Sequence, residues 1–582
     1  MACAAVKTVT TISLICNEFL TKGGDPVKEN TAFNKIICSL NRFNAHKCGT
    51  LEFAVLCFYI VALSAMMCFH EPWYDEAQAW LIARDGSWSE ILFEIPHYEG
   101  HPPFWYVVLA VFAKVGADFD LTLKLLTLAL NTVAVALLLF KMPFPRTVRL
   151  LLPFTYFLFY QHGVICRPYS ILLIGFLLAA ILWQQKNEKP FRFCLALMLM
   201  CASSAYGIIF AGGITLAWLW ELKEGMSFGG YIRALLKGTR FYSLLTLLLF
   251  ALVNIASILP RSDTFAASYG LSGSNPLPVR ILYMFTGSLA DATFFSAYDD
   301  YDELRYAVFN IPKLVIGCVL GACLLAFILY CGKKCKTNHA FLIPFALFAL
   351  FSGIVYFYLQ HIDVLLQFLL FWACISVKER EKAGESASES FFPAFKGILW
   401  GIISVSVAVS LYWNIGACYN EVIYQYGFAQ QLSDYLDQYG LSDYGVMVRW
   451  MQLTDDNGMV TYTNTNQTVN GVALNAYYDT NVVVNMNGGV ADMTYVTHRI
   501  PSEEENEAVL ESWREMGLPE ITFDKCQLKT LFPEYRDIYV QYYTSVLVLP
   551  EYHLWKGGYQ YSEHRLYVRN DIARKHFLQP EK

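Results

Sequence analysis

Charge is scarce in this chain: only 16% of its 582 residues are Asp, Glu, Lys or Arg, against about 25% in soluble domains. A basic excess is also lacking. The net charge of -6 excludes the broad cationic surface that nucleic-acid phosphates require, so no nucleic-acid partner is expected. No Gly-x-Gly-x-x-Gly fingerprint and no Gly-Lys-Ser phosphate loop occurs, which removes the usual cradles for NAD and ATP. Internal repeats are missing, which excludes a solenoid. No cleavage pattern follows the first apolar run, so residues 1–49, with their scattered lysines, are expected to be a cytoplasmic extension.

The 16 cysteines fall nearly all in apolar runs or in basic loops, so a disulfide framework is not expected. Cys418 and Cys526, in the polar last part of the chain, leave one bridge open. Cys331 and Cys335 in CGKKC lack a second ligand pair, and the spacing suits a basic loop end better than a metal centre. Asp299, Asp300 and Asp302 fit a solvated loop. No metal site is expected.

What the chain has instead is apolar length: 55% of its residues are hydrophobic. Runs of roughly 20 residues, enough to cross a bilayer, centre on 50–69, 120–140, 149–165, 168–185, 241–260, 310–330, 339–358, 362–377 and 394–415. Two shorter runs share 192–222 and meet at Tyr206-Gly207, where glycine permits a tight turn. The fold class expected is mostly α, a polytopic helix bundle of about eleven spans over 50–415. The stretch 103–116 is too short for an ordinary span. Leaving it uncrossed puts the basic loops that begin at Lys141, Lys186, Lys223, Lys333 and Lys378 on the N-terminal side, as the positive-inside rule requires. Residues 70–119, Arg167, the 261–306 loop, His361 and all that follows 416 then share the opposite, outer face.

The first outer loop is the long polar insertion of the front half. Glu71-Pro72-Trp73 leads into Asp75-Glu76-Ala77-Gln78-Ala79-Trp80, and Tyr98-Glu99-Gly100-His101-Pro102-Pro103 closes it. Between them, Trp88, Ile91 and Leu92 lie opposite Ser89, Glu90 and Glu94 at helical spacing, which predicts a helix lying in the interface. After 416 the composition turns polar over the length of one domain. Glu421–Tyr439 and the capping box Ser502-Glu503-Glu504-Glu505 through Met516 predict helices. Tyr444–Met451, Met493–His498, Ser545–Leu549 and Arg565–Arg569 predict strands, giving an α/β or α+β extracytoplasmic domain.

These loop motifs resemble the first outer loop of GT-C glycosyltransferases, in particular the family 39 group, which includes protein O-mannosyltransferases and lipid A aminoarabinose transferases. Cys166-Arg167-Pro168-Tyr169-Ser170 resembles that group's Ala-Arg-x-Tyr-Ser motif. Ser204-Ala205-Tyr206-Gly207 is similar to its Thr-His-x-Gly turn, although the histidine is absent. The likeness spans about 50–380; the tail matches no motif. It implies a GT-C fold and transfer of a sugar from a polyprenyl-phosphate carrier, without a cofactor, to a glycan, lipid or protein acceptor. An integral protein of a bacterial cell membrane is expected, with its active site and tail extracytoplasmic.

The chemistry asks for a base and a cation. An acceptor hydroxyl loses a proton as it attacks the anomeric carbon, and Asp75 occupies the position the resemblance assigns to that base. Glu76, beside it, is expected to orient the acceptor or Asp75. The leaving phosphate needs a cation, and the guanidinium of Arg167 suits it. Tyr169, His101 and Lys124 are further phosphate candidates. His97, Arg261, Arg280 and His361 are weaker substrate candidates. Each has a plain alternative: Arg167 and Lys124 as snorkelling side chains, Tyr169 as an interfacial tyrosine, His361 as a turn cap, and Pro102-Pro103 as a stiff helix entry. Two other functions fit the same composition, a flippase for lipid-linked saccharides and a non-catalytic glycan-binding membrane protein. The first predicts charges at mid-bilayer and inverted repeats.

Overall fold

The computed structural model describes residues 39, 42–44, 49–264, 273–298, 303–382, 393–424, 427–448, 452–454, 460–462, 471–485, 493–499, 502–526, 528–556 and 558–580. Nearly all of the N-terminal extension lies outside these residues, as do Asp299, Asp300 and Asp302.

The chain is mostly helical. Its long helices are Thr50–Met67 (α1), Tyr74–Asp85 (α2), Phe104–Ala113 (α3), Phe119–Lys141 (α4), Tyr169–Leu182 (α5), Pro190–Ser203 (α6), Ala205–Lys223 (α7) and Gly238–Ile258 (α8). Ile311–Cys335 (α9), Asn338–Ile354 (α10), Asp363–Lys382 (α11) and Pro393–Ile423 (α12) complete the bundle. Among the described residues, seven helices are long and apolar enough to cross a membrane: α1, α4, α7, α8, α9, α11 with the turn before it, and most of α12. Helices α5, α6 and α10 are apolar but shorter. Leu245, Leu248, Leu249, Leu252 and Val253 on α8, and Val315, Ile316 and Val319 on α9, are exposed. Apolar surface of that extent is stable against lipid and not against water.

Many polar contacts lie at the two ends of the bundle. At one end Arg146 pairs with Glu52 (2.8 Å), Lys186 with Glu221 (3.0 Å), and Thr337 with Ser376 (2.8 Å). At the other, Arg167 meets Asp75, the backbone of Glu303 bridges to that of Tyr358, and His97 Nδ1 donates to the Leu259 carbonyl (2.6 Å). Helix α3, ten residues and about 15 Å long, is about half the length of a bilayer's hydrocarbon core. Lys114 just beyond it bonds the carbonyl of Gly86 at 2.5 Å, so both ends of α3 stay with the first loop.

The run at 149–165 is not the continuous span its hydropathy predicts. It divides into an α-helix (Arg146–Leu151), a 3-10 turn (Leu152–Phe154) and a wide π-turn segment (Phe157–Val164). Pro153 supplies no N–H, and Thr155 is extended, so the α ladder stops there. The expected turn at 204–207 is present, with Ser204 Oγ accepting from Gly207 N at 3.1 Å. A Cβ at Gly207 would lie 2.0 Å from the Met200 carbonyl oxygen. Gly207→Ala is therefore expected to destabilise the bundle by about 1–3 kcal/mol, visible as a lower Tm in detergent; an unchanged Tm would show that the α6–α7 corner relaxes freely.

The tail carries helices Ala429–Gln438 (α13) and Glu503–Met516 (α14), the latter capped by Ser502 and Glu505 as the sequence predicts. Its strands are Val446–Met447 (β1), Gln452–Thr454 (β2), Val460–Tyr462 (β3), Ile521–Phe523 (β4), Tyr543–Trp555 (β5) and Gly558–Arg569 (β6). The main sheet runs β1-β4-β6-β5, with β1 parallel to β4 and the rest antiparallel. The helix expected at Glu421–Tyr439 is instead the end of α12 followed by α13. The strand expected at Met493–His498 is an extended strap outside both sheets.

The β5–β6 hairpin descends alongside α12. Tyr552 stacks on Tyr424 at 4.3 Å, while Lys556 at the tip lies 4.7 Å from the Trp413 ring. Those two contacts are about 16 Å apart along α12, so the tip enters the helix bundle. There the Lys556 ammonium donates to the carbonyls of Asp291 (3.0 Å) and Phe295 (2.9 Å). Cys418 and Cys526 are both free.

Candidate functional site

After α1 the chain turns through His70 and Glu71, and α2 begins with Trp73 as its N-cap. Asp75 and Glu76 are the second and third residues of that helix, about 100° apart around its axis. They therefore face different surroundings.

Glu76 points inward and is fully buried. One oxygen accepts from Trp73 N (3.0 Å), capping its own helix, and the other accepts from Cys166 N (2.6 Å). His70 Nε2 lies 3.2 Å from Glu76, and its Nδ1 lies 2.8 Å from Glu421 at the end of α12. The Tyr160 hydroxyl donates to the same Glu421. Burial alone lowers a histidine, but Glu76 and Glu421 outweigh it and raise His70 to about 10. Glu76 thus positions the site: it fastens the segment bearing Arg167 to the helix bearing Asp75.

The network has a measurable signature. His70 has an ordinary value of 6.5 and about 10 when folded, so its contribution is complete below pH 6.5 and is lost as pH rises toward 10. Thermal unfolding is expected to show a falling Tm across that window, and His70→Asn to remove the slope. A slope that persists in the variant would assign the effect elsewhere.

Asp75 faces the other way, partly exposed, and pairs with Arg167 Nη1. The Arg167 guanidinium lies 5.9 Å from the centre of the Tyr169 ring. Tyr169 packs against His361 at 5.2 Å, and His361 Nδ1 lies 3.3 Å from the Tyr206 hydroxyl. His101 is an electrostatic neighbour of His361. Its Nδ1 is buried with no hydrogen bond, and burial lowers its pKa despite nearby Glu99. Five expected residues, Asp75, Arg167, Tyr169, His101 and His361, are thus brought together, with Glu76 behind them.

The other expected residues lie elsewhere. Lys124 pairs with Asp120 at 2.6 Å, one turn back on α4. His97 bonds Leu259, and Arg261 stacks on Tyr98 at 5.7 Å, so these two tie the first loop to the end of α8. Arg280 is buried beside Arg305 and Glu303; it sits on the helix Leu277–Phe285, which with Gly287–Asp291 replaces part of the loop expected over 261–306.

The tail reaches the site through its strap. Gln78 holds Val496 by both side-chain atoms, donating to its carbonyl (2.6 Å) and accepting from its N–H (3.0 Å). His498 Nδ1 meets Glu99 at 2.9 Å, and its Nε2 meets the Tyr74 hydroxyl at 2.8 Å. Burial would raise Glu99, but His498, Gln78 and His101 hold it below its usual value. His70, Glu421, Gln78 and His498 were not singled out by the sequence; only their placement beside a span end or motif marks the first three.

The fold and this arrangement define an integral membrane protein with a carboxylate–guanidinium centre at one end of its bundle. No protein-family model matches the chain, and no curated protein does. Among solved structures it is similar to the archaeal oligosaccharyltransferase AglB from Archaeoglobus fulgidus, determined in complex with an inhibitory peptide and a dolichol-phosphate. That likeness has 12% identity and a TM-score of 0.38, covering 90% of this chain and 76% of the other.

Proposed function

We propose that the protein is a membrane glycosyltransferase, of hexosyltransferase type, that moves a sugar from a polyprenyl-phosphate carrier to an acceptor hydroxyl. The observation that carries this reading is the Asp75–Arg167 pair at the end of the bundle, walled by Tyr169, His361 and His101. A carboxylate beside a guanidinium is a weak proton acceptor; a phosphate that takes Arg167 away leaves Asp75 a stronger one. Donor binding thereby switches on the base.

In the reaction the acceptor oxygen bonds to the anomeric carbon while the carbon–phosphate oxygen bond breaks. The electron pair leaves on the carrier phosphate, opposite Arg167, and the acceptor proton passes to Asp75. A single displacement of this kind inverts the anomeric centre. The basic loops at the far end of the bundle support a cytoplasmic location for that end. The site and tail then face the periplasm, cell exterior or lumen, most simply across a bacterial cell membrane. The test is incubation of the purified protein with radiolabelled polyprenyl-phosphate sugars of several kinds. Consumption of one, with release of its carrier phosphate, is expected; consumption of none would remove the reading.

A further inference from the structure

We propose that His162, Asp363 and Gln367 form the subsite that holds the sugar ring of the lipid-borne donor. This rests on the reading of Asp75 and Arg167 as a sugar-transfer centre. The three side chains are at most 1% exposed and lie where the π-turn segment Phe157–Val164 meets the first turns of α11. His162 Nε2 is 2.8 Å from Asp363 Oδ2 and 2.8 Å from Gln367 Nε2. The His162 carbonyl receives Asn131 Nδ2 (2.7 Å) and Ser170 Oγ (3.1 Å), which anchor this stretch of backbone from two neighbouring helices.

The cluster has hydrogen-bonding capacity that the protein does not use. His162 Nδ1, Gln367 Oε1 and the Tyr169 hydroxyl are buried without a hydrogen-bond partner, and Asp363 Oδ2 has its charge contact to His162 without an aligned hydrogen bond. An unsatisfied buried polar group costs about 1–3 kcal/mol. Ionisable groups held within an apolar bundle are costly to leave without a task. A ligand rich in hydroxyls, each able to donate and accept, matches the carboxylate, amide oxygen and imidazole nitrogen that these three neighbouring side chains carry.

The position fits the donor. Tyr169 is the ring between the cluster and the cation: its centre is 6.2 Å from the His162 ring, 5.2 Å from His361 and 5.9 Å from the Arg167 guanidinium. The Arg167 guanidinium is therefore no more than about 12 Å from the His162 ring, within reach of a single sugar attached to a phosphate bound at Arg167.

The test compares two ligands on the full-length protein in nanodiscs: undecaprenyl phosphate, and undecaprenyl phosphate carrying mannose or glucose. Wild type is expected to bind a sugar-loaded carrier more tightly than the bare one. Asp363→Asn and the near-isosteric Gln367→Met are each expected to weaken the sugar-loaded carrier about tenfold, or about 1.4 kcal/mol, with the bare carrier unchanged. Unchanged bare-carrier binding also shows that the variants are folded. Equal losses for both ligands, or no loss for either, overturn the subsite. Wild type that binds bare and loaded carrier equally overturns the subsite alone, whereas wild type that binds neither removes the sugar-transfer reading with it.

Discussion

Asp75→Asn is expected to lower sugar transfer by about 10²- to 10⁴-fold, the range a positioned general base contributes, or roughly 3–5 kcal/mol. The substitution keeps the shape of the side chain and removes its ability to take the acceptor proton. Because the Asp75–Arg167 pair is partly exposed, its loss costs about 1 kcal/mol of stability or less, so insertion and Tm should be nearly unaffected. A second readout separates the base from a merely structural acid. With its partner neutral, Arg167 is more available to phosphate, and the affinity for bare polyprenyl phosphate should stay the same or rise while kcat collapses. Transfer at the wild-type rate would take the role of base away from Asp75.

Arg167→Ala is expected to act on both binding and rate. A cation facing a leaving phosphate gains strength as charge develops there, and removing such a donor costs about 10²- to 10³-fold in kcat. Arg167→Lys should recover only part of this, since an ammonium lacks the planar fork that meets two phosphate oxygens at once. The segment itself should stay in place, because it is held by the hydrogen bond from Cys166 N to Glu76 and not by the guanidinium. The measurement is affinity for bare polyprenyl phosphate alongside single-turnover transfer. Wild-type affinity in Arg167→Ala would sink the assignment of the phosphate to this residue.

The membrane class and the capping box at Ser502 were legible because each depends on local composition or spacing, and the stretch 103–116 holds the short apolar helix that its length predicts. The meeting of Asp75 with Arg167 followed from topology and motif together. What stayed hidden depends on contacts far apart in the chain. His70 and Glu421 are 351 residues apart, and nothing local to either announces the other. Glu76 was harder to place, although the 100° between neighbours on a helix already implies that it cannot share the surroundings of Asp75. The break at Pro153 was masked by hydropathy, which counts apolar residues and not the backbone geometry that carries them. The strap 493–499 has strand-like composition, yet its partners are the side chains of Gln78 and Glu99 and not a neighbouring strand.

The hairpin that ends in Lys556 also sets the order in which the molecule is completed. Its ammonium closes contacts with carbonyls made some 260 residues earlier in the chain. The rings of Phe157, Tyr298 and Trp413 therefore gain their cation only once the last strands have been made and have folded against the bundle. A chain stopped before Lys556 would leave the Asp291 carboxylate and those rings without their plug. Completion of the bundle is thus tied to synthesis of the chain's last strands.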